Sequence, residues 1–182
     1  APWERDERYF QKFKDAGLSD FDATYASMLE GMDKSLGDIR THLKELGVDE
    51  ETIVVFMPDN GAPKQAARNL PLRGHKITPY EGGIRVPMMV KWPGITIPKV
   101  DSHNYLIIED IFPTFLEMAG LKEEALQSQD GISFLPLLTG EGEYPKSRPI
   151  YWHYPNVYDQ PPYSSMRKGA WKLIYHHIDR KL

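Results

Sequence analysis

The amino-acid sequence reads as an α/β protein that closes on a small antiparallel sheet. Three features carry that reading. A long amphipathic helical period runs from Phe21 to Leu46, and an apolar run at residues 52–57 follows it, ending on Pro58-Asp59-Asn60-Gly61. Residues 150–175 then break into short strand-like runs separated by turn signals. A helix followed by a strand that is apolar on both faces is the αβ half of a layered unit, and such a strand suits a covered, parallel sheet.

In order along the chain, residues 1–18 are charged, with Tyr9, Phe10 and Phe13 on one short helical face. Phe21, Tyr25, Met28, Leu29, Met32, Leu36, Ile39, Leu43 and Leu46 recur at steps of three and four. That is an amphipathic helix of about seven turns at 3.6 residues each, its apolar stripe expected to pack in a core. Ser19 and Asp22 form a capping-box-like start, with Asp in place of the usual Glu or Gln, and Gly47 is the stop. His42 falls among polar neighbours and reads as solvated. Residues 61–83 are irregular and contain Pro and Gly; loops of this length inside compact proteins are usually functional or disordered.

A second apolar strand is expected at residues 86–91 and a short one at 105–108. Asp110 opens a helix bearing Ile111, Phe112, Phe115, Leu116 and Ala119, closed by Gly120; Pro113 fits its first turn, where N–H groups have no intrahelical partner. A boundary is expected near residue 142, separating a core at 1–142 from a subdomain at 143–182. Residues 150–154, 164–168 and 170–175 are its strands, the last two joined by a hairpin at Lys168-Gly169.

Composition narrows the function classes. Hydrophobic residues make up 41% and charged residues 26% of 182, as in ordinary soluble globular proteins. A net charge of −4 provides no basic stripe, so nucleic acid and anionic membranes are poor candidate partners. The absence of cysteine removes disulfides, thiolate nucleophiles and zinc–thiolate sites. No apolar stretch reaches membrane-spanning length, and the first residues lack a signal-peptide pattern. The start at Ala1 rather than Met reads as a processed or excised piece.

Two clusters carry chemistry. Asp59 and Asn60 stand at the carboxyl end of a strand, where open α/β sheets bind ligands, and both offer the hard oxygens that Ca²⁺ or Mg²⁺ prefers. An Asn-Gly turn without metal is the alternative, weakened because Ala62-Pro63-Lys64-Gln65-Ala66-Ala67 does not alternate like a returning strand. The second cluster spans residues 72–87. Its glycines permit close backbone approach, and Arg73, His75, Lys76 and Arg85 supply positive charge suited to a sulfate- or phosphate-type oxyanion. A solvated basic loop, in which Glu81 pairs with an arginine, is the alternative there.

Taken together, these segments resemble the sulfatases of the alkaline-phosphatase-like superfamily. The resemblance rests on Pro58-Asp59-Asn60-Gly61, Leu72-Arg73-Gly74-His75-Lys76, Tyr80-Glu81-Gly82-Gly83-Ile84-Arg85-Val86-Pro87 and Lys91-Trp92-Pro93-Gly94, in that order. It continues through Asp110-Ile111-Phe112-Pro113-Thr114, Asp130-Gly131-Ile132-Ser133, Pro136-Leu137-Leu138, Tyr151-Trp152-His153-Tyr154-Pro155 and Arg167-Lys168-Gly169-Ala170-Trp171-Lys172-Leu173. It covers nearly the whole chain, yet only the C-terminal portion of an arylsulfatase-type enzyme. The implied fold is the C-terminal part of an αβα sandwich whose N-terminal half lies outside this chain.

The resemblance implies sulfuric ester hydrolysis of aryl or carbohydrate sulfates. In the family, an oxidised Cys or Ser becomes formylglycine, whose hydrate attacks sulfur and releases the alcohol before the sulfate hemiester collapses. This chain lacks that Cys/Ser-x-Pro-x-Arg segment: Asn69-Leu70-Pro71-Leu72-Arg73 has Asn at the oxidisable position. Formylglycine is therefore expected in the missing N-terminal part, and the isolated chain is expected to be inactive. Asp59 and Asn60 match two ligands of the family's divalent metal, Ca²⁺ with Mg²⁺ as the alternative. Lys76 matches the catalytic lysine that contacts the sulfate and steadies the leaving oxygen. Arg73, Glu81 and Arg85 are expected to shape the loop through ion pairs, and His75 is assigned no role. His153 lies near a tail segment that borders the substrate pocket in related enzymes; packing among Trp152, Tyr154 and Tyr158 is its alternative. His176 and His177 have no motif support and read as strand-end or surface residues.

Two alternatives stay open: a phospho- or phosphonoester hydrolase of the same superfamily, and a non-catalytic binding module. The implied partner is a sulfated small molecule or glycan, and the resemblance suggests a periplasmic or secreted location. A sheet without its N-terminal half exposes strand edges and faces, so self-association of the isolated chain is expected, checkable by light scattering across concentration.

Overall fold

Ser19 begins the longest helix as its sequence anticipates. Its hydroxyl accepts the Asp22 N–H at 3.1 Å and donates to the Asp22 carboxylate at 2.9 Å. In the computed structural model, which describes residues 3–66, 69–98, 102–121 and 127–182, this helix is α2, Asp20–Glu45, preceded by α1, Glu7–Asp15. Ala1, Pro2 and Ala67, which figure in the sequence expectations, lie outside the described residues. The chain forms two compact units, residues 1–93 and 94–182.

In the first unit α1 and α2 pack as a pair. Asp6 caps α1, accepting the Arg8 N–H, while its own N–H donates to Ser27 Oγ at 3.0 Å. The Ser27 hydroxyl in turn donates to the Thr24 carbonyl at 2.7 Å. Lys12 reaches Glu30 across the helix pair at 2.6 Å. The line of α2 that is buried is Ala23, Ser27 and Gly31, three small residues at steps of four. This corrects the expectation for the Met and aromatic stripe: Phe21, Met28, Leu29, Met32, Ile39 and Leu46 are all exposed. Small side chains let α1 approach closely, and the Asp6 carboxylate occupies the space where a side chain on residue 31 would begin. His42 is exposed and touches Glu45, as a solvated residue should.

Residues 54–56 form strand β1, Val54–Phe56, which pairs antiparallel with β2, Met89–Lys91, in the register Val54↔Lys91 to Phe56↔Met89. The strand paired with β1 among the described residues is thus antiparallel, where a parallel neighbour is expected from the sequence. β1 is half-buried throughout, and an antiparallel pair can leave one face to water. A β-branched run specifies extended backbone but not the direction of its neighbour. Between the strands lie a 3-10 turn, Lys64–Ala66, and a one-turn helix α3, Glu81–Ile84.

The second unit is organised around Asp110, which is fully buried. A 3-10 turn, Ile108–Asp110, leads into α4, Ile111–Met118, and α5, Leu135–Thr139, follows with Pro136 in its first turn. The strand expected at 105–108 does not form. The Asp110 carboxylate captures the Ile107 N–H at 2.9 Å and bends the backbone into the turn instead. Thr114, also buried, donates to the Asp110 carbonyl and accepts the Phe134 N–H at 3.0 Å, seating Phe134 in the core.

A three-stranded antiparallel sheet completes the unit: β3, Ile150–Tyr154; β4, Tyr163–Lys168; β5, Trp171–His176. The hairpin at Gly169 joins β4 to β5 with Lys168 opposite Trp171. Ile150, Tyr163 and Ser165 point into the unit and are buried, whereas Tyr151, His153 and Trp171 alternate to the open face.

Candidate functional site

The first unit carries the residues singled out at the strand end. β1 runs out at Phe56, Met57 and Pro58 follow, and the chain bends at Asp59 and Asn60. It does not return as a strand: residues 64–66 coil into a 3-10 turn, so a simple Asn-Gly hairpin is absent. The Asn60 amide nitrogen donates to the Gly61 carbonyl at 3.2 Å, which leaves the amide oxygen on the other arm of the side chain. Asp59 is exposed and Asn60 half-buried.

Two backbone bonds knit this bend to the glycine-rich segment, and a third closes that segment on itself. The Gly61 N–H donates to the Gly83 carbonyl at 2.9 Å, the Lys76 N–H to the Ala62 carbonyl at 2.9 Å, and the Gly82 N–H to the Arg73 carbonyl at 2.7 Å. The backbones lie so close that a Cβ on residue 61 would stand 1.8 Å from the Gly82 carbonyl oxygen, and one on residue 82 would stand 2.3 Å from the Gly74 oxygen. Only glycine fits at either position. Residues 59–62, 73–78 and 80–83 therefore form one cradle, with exposed Lys76 on its rim.

The turn holding Lys76 is over-determined. Buried Thr78 accepts the His75 N–H at 3.1 Å through its hydroxyl and returns that proton's worth of bonding to the His75 carbonyl at 2.7 Å. Ile77, directly after Lys76, has φ of +78°. A β-branched residue in the left-handed region is a steric outlier of the sort held in place at functional sites, at roughly 1–3 kcal/mol. Arg73 does not take the ion-pairing role expected of it among the described contacts; its guanidinium stacks 3.8 Å over the Tyr80 ring and donates to the Tyr80 hydroxyl at 3.0 Å. His75 Nδ1 meets the Lys76 carbonyl at 2.9 Å, a local contact.

As metal donors, Asp59 and Asn60 suit a hard cation, since a carboxylate and an amide oxygen are both ligands of Ca²⁺. They are two donors where six to eight are needed, and no group of three or more His, Cys, Asp or Glu gathers among the described residues. The pair fits a share of a Ca²⁺ site.

A sulfatase family model matches residues 1–121, two thirds of the chain. The chain belongs to the sulfatase family. A second model, the C-terminal region of N-sulphoglucosamine sulphohydrolase, matches residues 75–181. A sulfatase of Formosa agariphila is 34% identical over 149 residues, covering 75% of this chain and 27% of that protein. N-acetylgalactosamine-6-sulfatase of Rattus norvegicus is 36% identical over 138 residues, covering 73% of this chain and 26% of the relative. This sulfatase chain thus spans about a quarter of the length of the curated relatives it matches. Among solved structures, Ps i-CgsB in complex with k-i-k-neocarrahexaose superposes with a TM-score of 0.84 at 28% identity, over 96% of this chain and 38% of that one. BT4656 in complex with D-glucosamine-2-N,6-O-disulfate shares the fold, with a TM-score of 0.74 at 22% identity, over 95% and 37% of the two chains. The alkaline-phosphatase-like fold class expected for the sulfatase chain is the one its structural neighbours have.

In the second unit of the sulfatase chain, His153 does not pack among Trp152, Tyr154 and Tyr158. Strand alternation sends Trp152 and Tyr154 to the opposite face, and Tyr154 stacks on Tyr163 instead. His153 Nδ1 lies 2.8 Å from Ser164 Oγ, its cross-strand neighbour, and His177 Nε2 lies 2.9 Å from the same oxygen. Ser164 and His177 were invisible as a pair in the sequence. The signal for Ser164 is the β3–β4 register, which sets it opposite His153; His177 lies beyond β5, where its N–H bonds the Pro162 carbonyl.

Proposed function

We propose that the whole protein hydrolyses sulfate esters on carbohydrates, with Lys76 as the catalytic lysine and Asp59 and Asn60 as part of a Ca²⁺ site. One observation carries this reading: the Lys76 N–H is bonded to the Ala62 carbonyl, so the lysine's backbone is tied to the turn that presents Asp59 and Asn60. An N-acetylgalactosamine-6-sulfatase among the relatives and a structure in complex with k-i-k-neocarrahexaose support a carbohydrate substrate, and steryl-sulfatases 30% identical to this chain make a sterol sulfate the competing substrate.

Bound there, a divalent cation would supply Lewis-acid neutralisation of the sulfuryl oxygens. Asp59 and Asn60 hold their oxygens at the bend for that cation. The Lys76 ammonium binds the sulfate and steadies the leaving oxygen as the S–O bond breaks and the alcohol departs. Fixed donors of this kind act without reorganising, which is where electrostatic catalysis gains most. The cradle of Gly61, Gly82 and Thr78 does the fixing. The family's formylglycine segment has no counterpart among these 182 residues, so the nucleophile is assigned to another part of the whole protein and the isolated chain to an inert state.

The test pairs an aryl sulfate with the matching aryl phosphate as substrates of the whole protein. The reading expects the sulfate to be turned over preferentially; preferential phosphate turnover would move the protein to phosphoester chemistry, and turnover of neither would remove it from this enzyme class.

A further inference from the structure

Resting on the proposed function for the roles of Lys76, Asp59 and Asn60, we infer that the Thr78 hydroxyl is a positioning group shared by the lysine and the metal-binding turn, so that losing it loosens both together. Two arms lead from Thr78 to residues 60–62, both inside the first unit. Along the first, the hydroxyl accepts the His75 N–H at 3.1 Å and donates to the His75 carbonyl at 2.7 Å, and the Thr78 N–H donates to that same carbonyl at 3.0 Å. These bonds fix the peptide that enters Lys76, whose own N–H then reaches the Ala62 carbonyl at 2.9 Å.

The second arm runs through Gly83. A Cβ on residue 83 would run into the Thr78 and His75 carbonyl oxygens and lie 3.0 Å from the Thr78 hydroxyl, so this backbone is seated directly on the threonine. The Gly83 carbonyl accepts the Gly61 N–H at 2.9 Å, and the Gly61 carbonyl accepts the Asn60 amide nitrogen at 3.2 Å. The orientation of the Asn60 carboxamide, and with it the oxygen offered to a cation, therefore depends on the same side chain as the Lys76 backbone.

The hydroxyl, rather than the bulk of the side chain, is what this seat requires. Thr78 is 5% exposed, so water has little access to replace the two bonds, and without the hydroxyl the His75 N–H loses its acceptor. Ile77 lies inside the loop that the hydroxyl closes, at φ of +78°. A β-branched residue stays in the left-handed region only while its surroundings over-determine it, and the bridge from residue 78 to residue 75 is such a constraint. Gly74 completes the seat: a Cβ there would run into Thr78 Oγ1, so the hydroxyl occupies space that only glycine leaves open.

The experiment uses the whole protein carrying Thr78→Val, which keeps the shape and removes the hydroxyl, and Thr78→Ser, which keeps the hydroxyl. Thr78→Ala serves the same comparison if circular dichroism shows the valine variant unfolded. Hydrogen exchange at the Gly61 and Lys76 N–H groups, calorimetric titration with Ca²⁺, and steady-state hydrolysis of an aryl sulfate are the readouts. Thr78→Val is expected to speed exchange at both N–H groups about tenfold and to weaken Ca²⁺ binding about tenfold. It should also lower kcat by roughly 10–100-fold with a smaller change in KM. Thr78→Ser is expected to return all of these to within about threefold of the wild type. Thr114→Val, which removes a buried hydroxyl with the same pair of bonds in the second unit, is expected to lower stability and leave Ca²⁺ affinity and both exchange rates unmoved. Unchanged exchange at either N–H group in Thr78→Val, unchanged Ca²⁺ affinity, or a serine variant as impaired as the valine one overturns the inference. Wild-type turnover in Asp59→Ala and Lys76→Ala, with exchange still accelerated at both N–H groups by Thr78→Val, would remove the functional reading and leave the shared anchoring standing.

Discussion

The backbone N–H of Lys76 is hydrogen-bonded to the carbonyl of Ala62, 2.9 Å away. That bond joins two segments separated by fourteen positions in sequence and ties the backbone of Lys76 to the turn that carries Asp59 and Asn60. Ile77, forced to a positive φ, and Thr78, buried and doubly bonded to His75, hold the joint from the other side.

The cradle leaves no room for a methyl group. Gly61→Ala would drive a Cβ against the Gly82 carbonyl and is expected to lower stability on the order of 3 kcal/mol, read by chemical denaturation. Gly37→Ala on α2 meets nothing within 4 Å and is expected to raise stability by about 0.5–1 kcal/mol. Equal effects of the two substitutions would show that the close approach has no energetic weight.

The buried Asp110–Arg148 pair organises the second unit. Asp110 accepts from Ile107, Ile132 and Arg148, and burial together with the Asp110 charge pushes the neighbouring Tyr144 phenol upward. For Arg148, burial is the largest single influence and opposes the charge, but the hydrogen bond to Asp110, the Asp110 charge and the Tyr144 phenol together outweigh it and hold the guanidinium above its ordinary value. Arg148→Met strands a buried carboxylate and is expected to cost about 3–5 kcal/mol in the same assay. Combining it with Asp110→Asn should recover part of that loss, and strict additivity would argue against coupling.

The α1 cap should respond to acid. The Arg8 side-chain hydrogen bond holds the Asp6 carboxyl below its ordinary 3.8. A depressed folded value means that this stabilisation is complete above about pH 3.8 and is lost as pH falls through the folded value. Asp6→Asn keeps an N-cap acceptor but has no carboxyl to titrate. An acid titration followed by circular dichroism should therefore show the wild type losing helix below pH 3.8 with a component that the variant lacks; identical curves would dismiss it.

Much of this fold is legible in the sequence where a local rule decides the outcome. Ser19 and Asp22 announce the start of α2, Gly47 its end, and Lys168-Gly169 the hairpin, because capping and turn chemistry act within a few residues. Strand direction is different: residues 54–56 specify an extended apolar segment, while the partner Met89–Lys91 is chosen by a connection over thirty residues long. The apolar period of α2 is equally real, yet the side facing α1 is the small-residue line Ala23–Ser27–Gly31, selected by how closely Asp6 approaches. At the candidate site, Asp59, Asn60 and Lys76 are readable from motif resemblance. The roles of Ala62 and Thr78 are not, since a carbonyl acceptor and a turn hydroxyl leave no pattern of spacing. Ser164 and His177 needed the register of three strands.

Steady-state hydrolysis of an aryl sulfate by the whole protein, with Asp59→Ala and Lys76→Ala prepared separately, tests the assignment of this turn and loop most directly. The expected result is a fall in kcat/KM of roughly 10²–10³-fold in each variant, with unchanged circular dichroism. Near-normal turnover in both variants would contradict it.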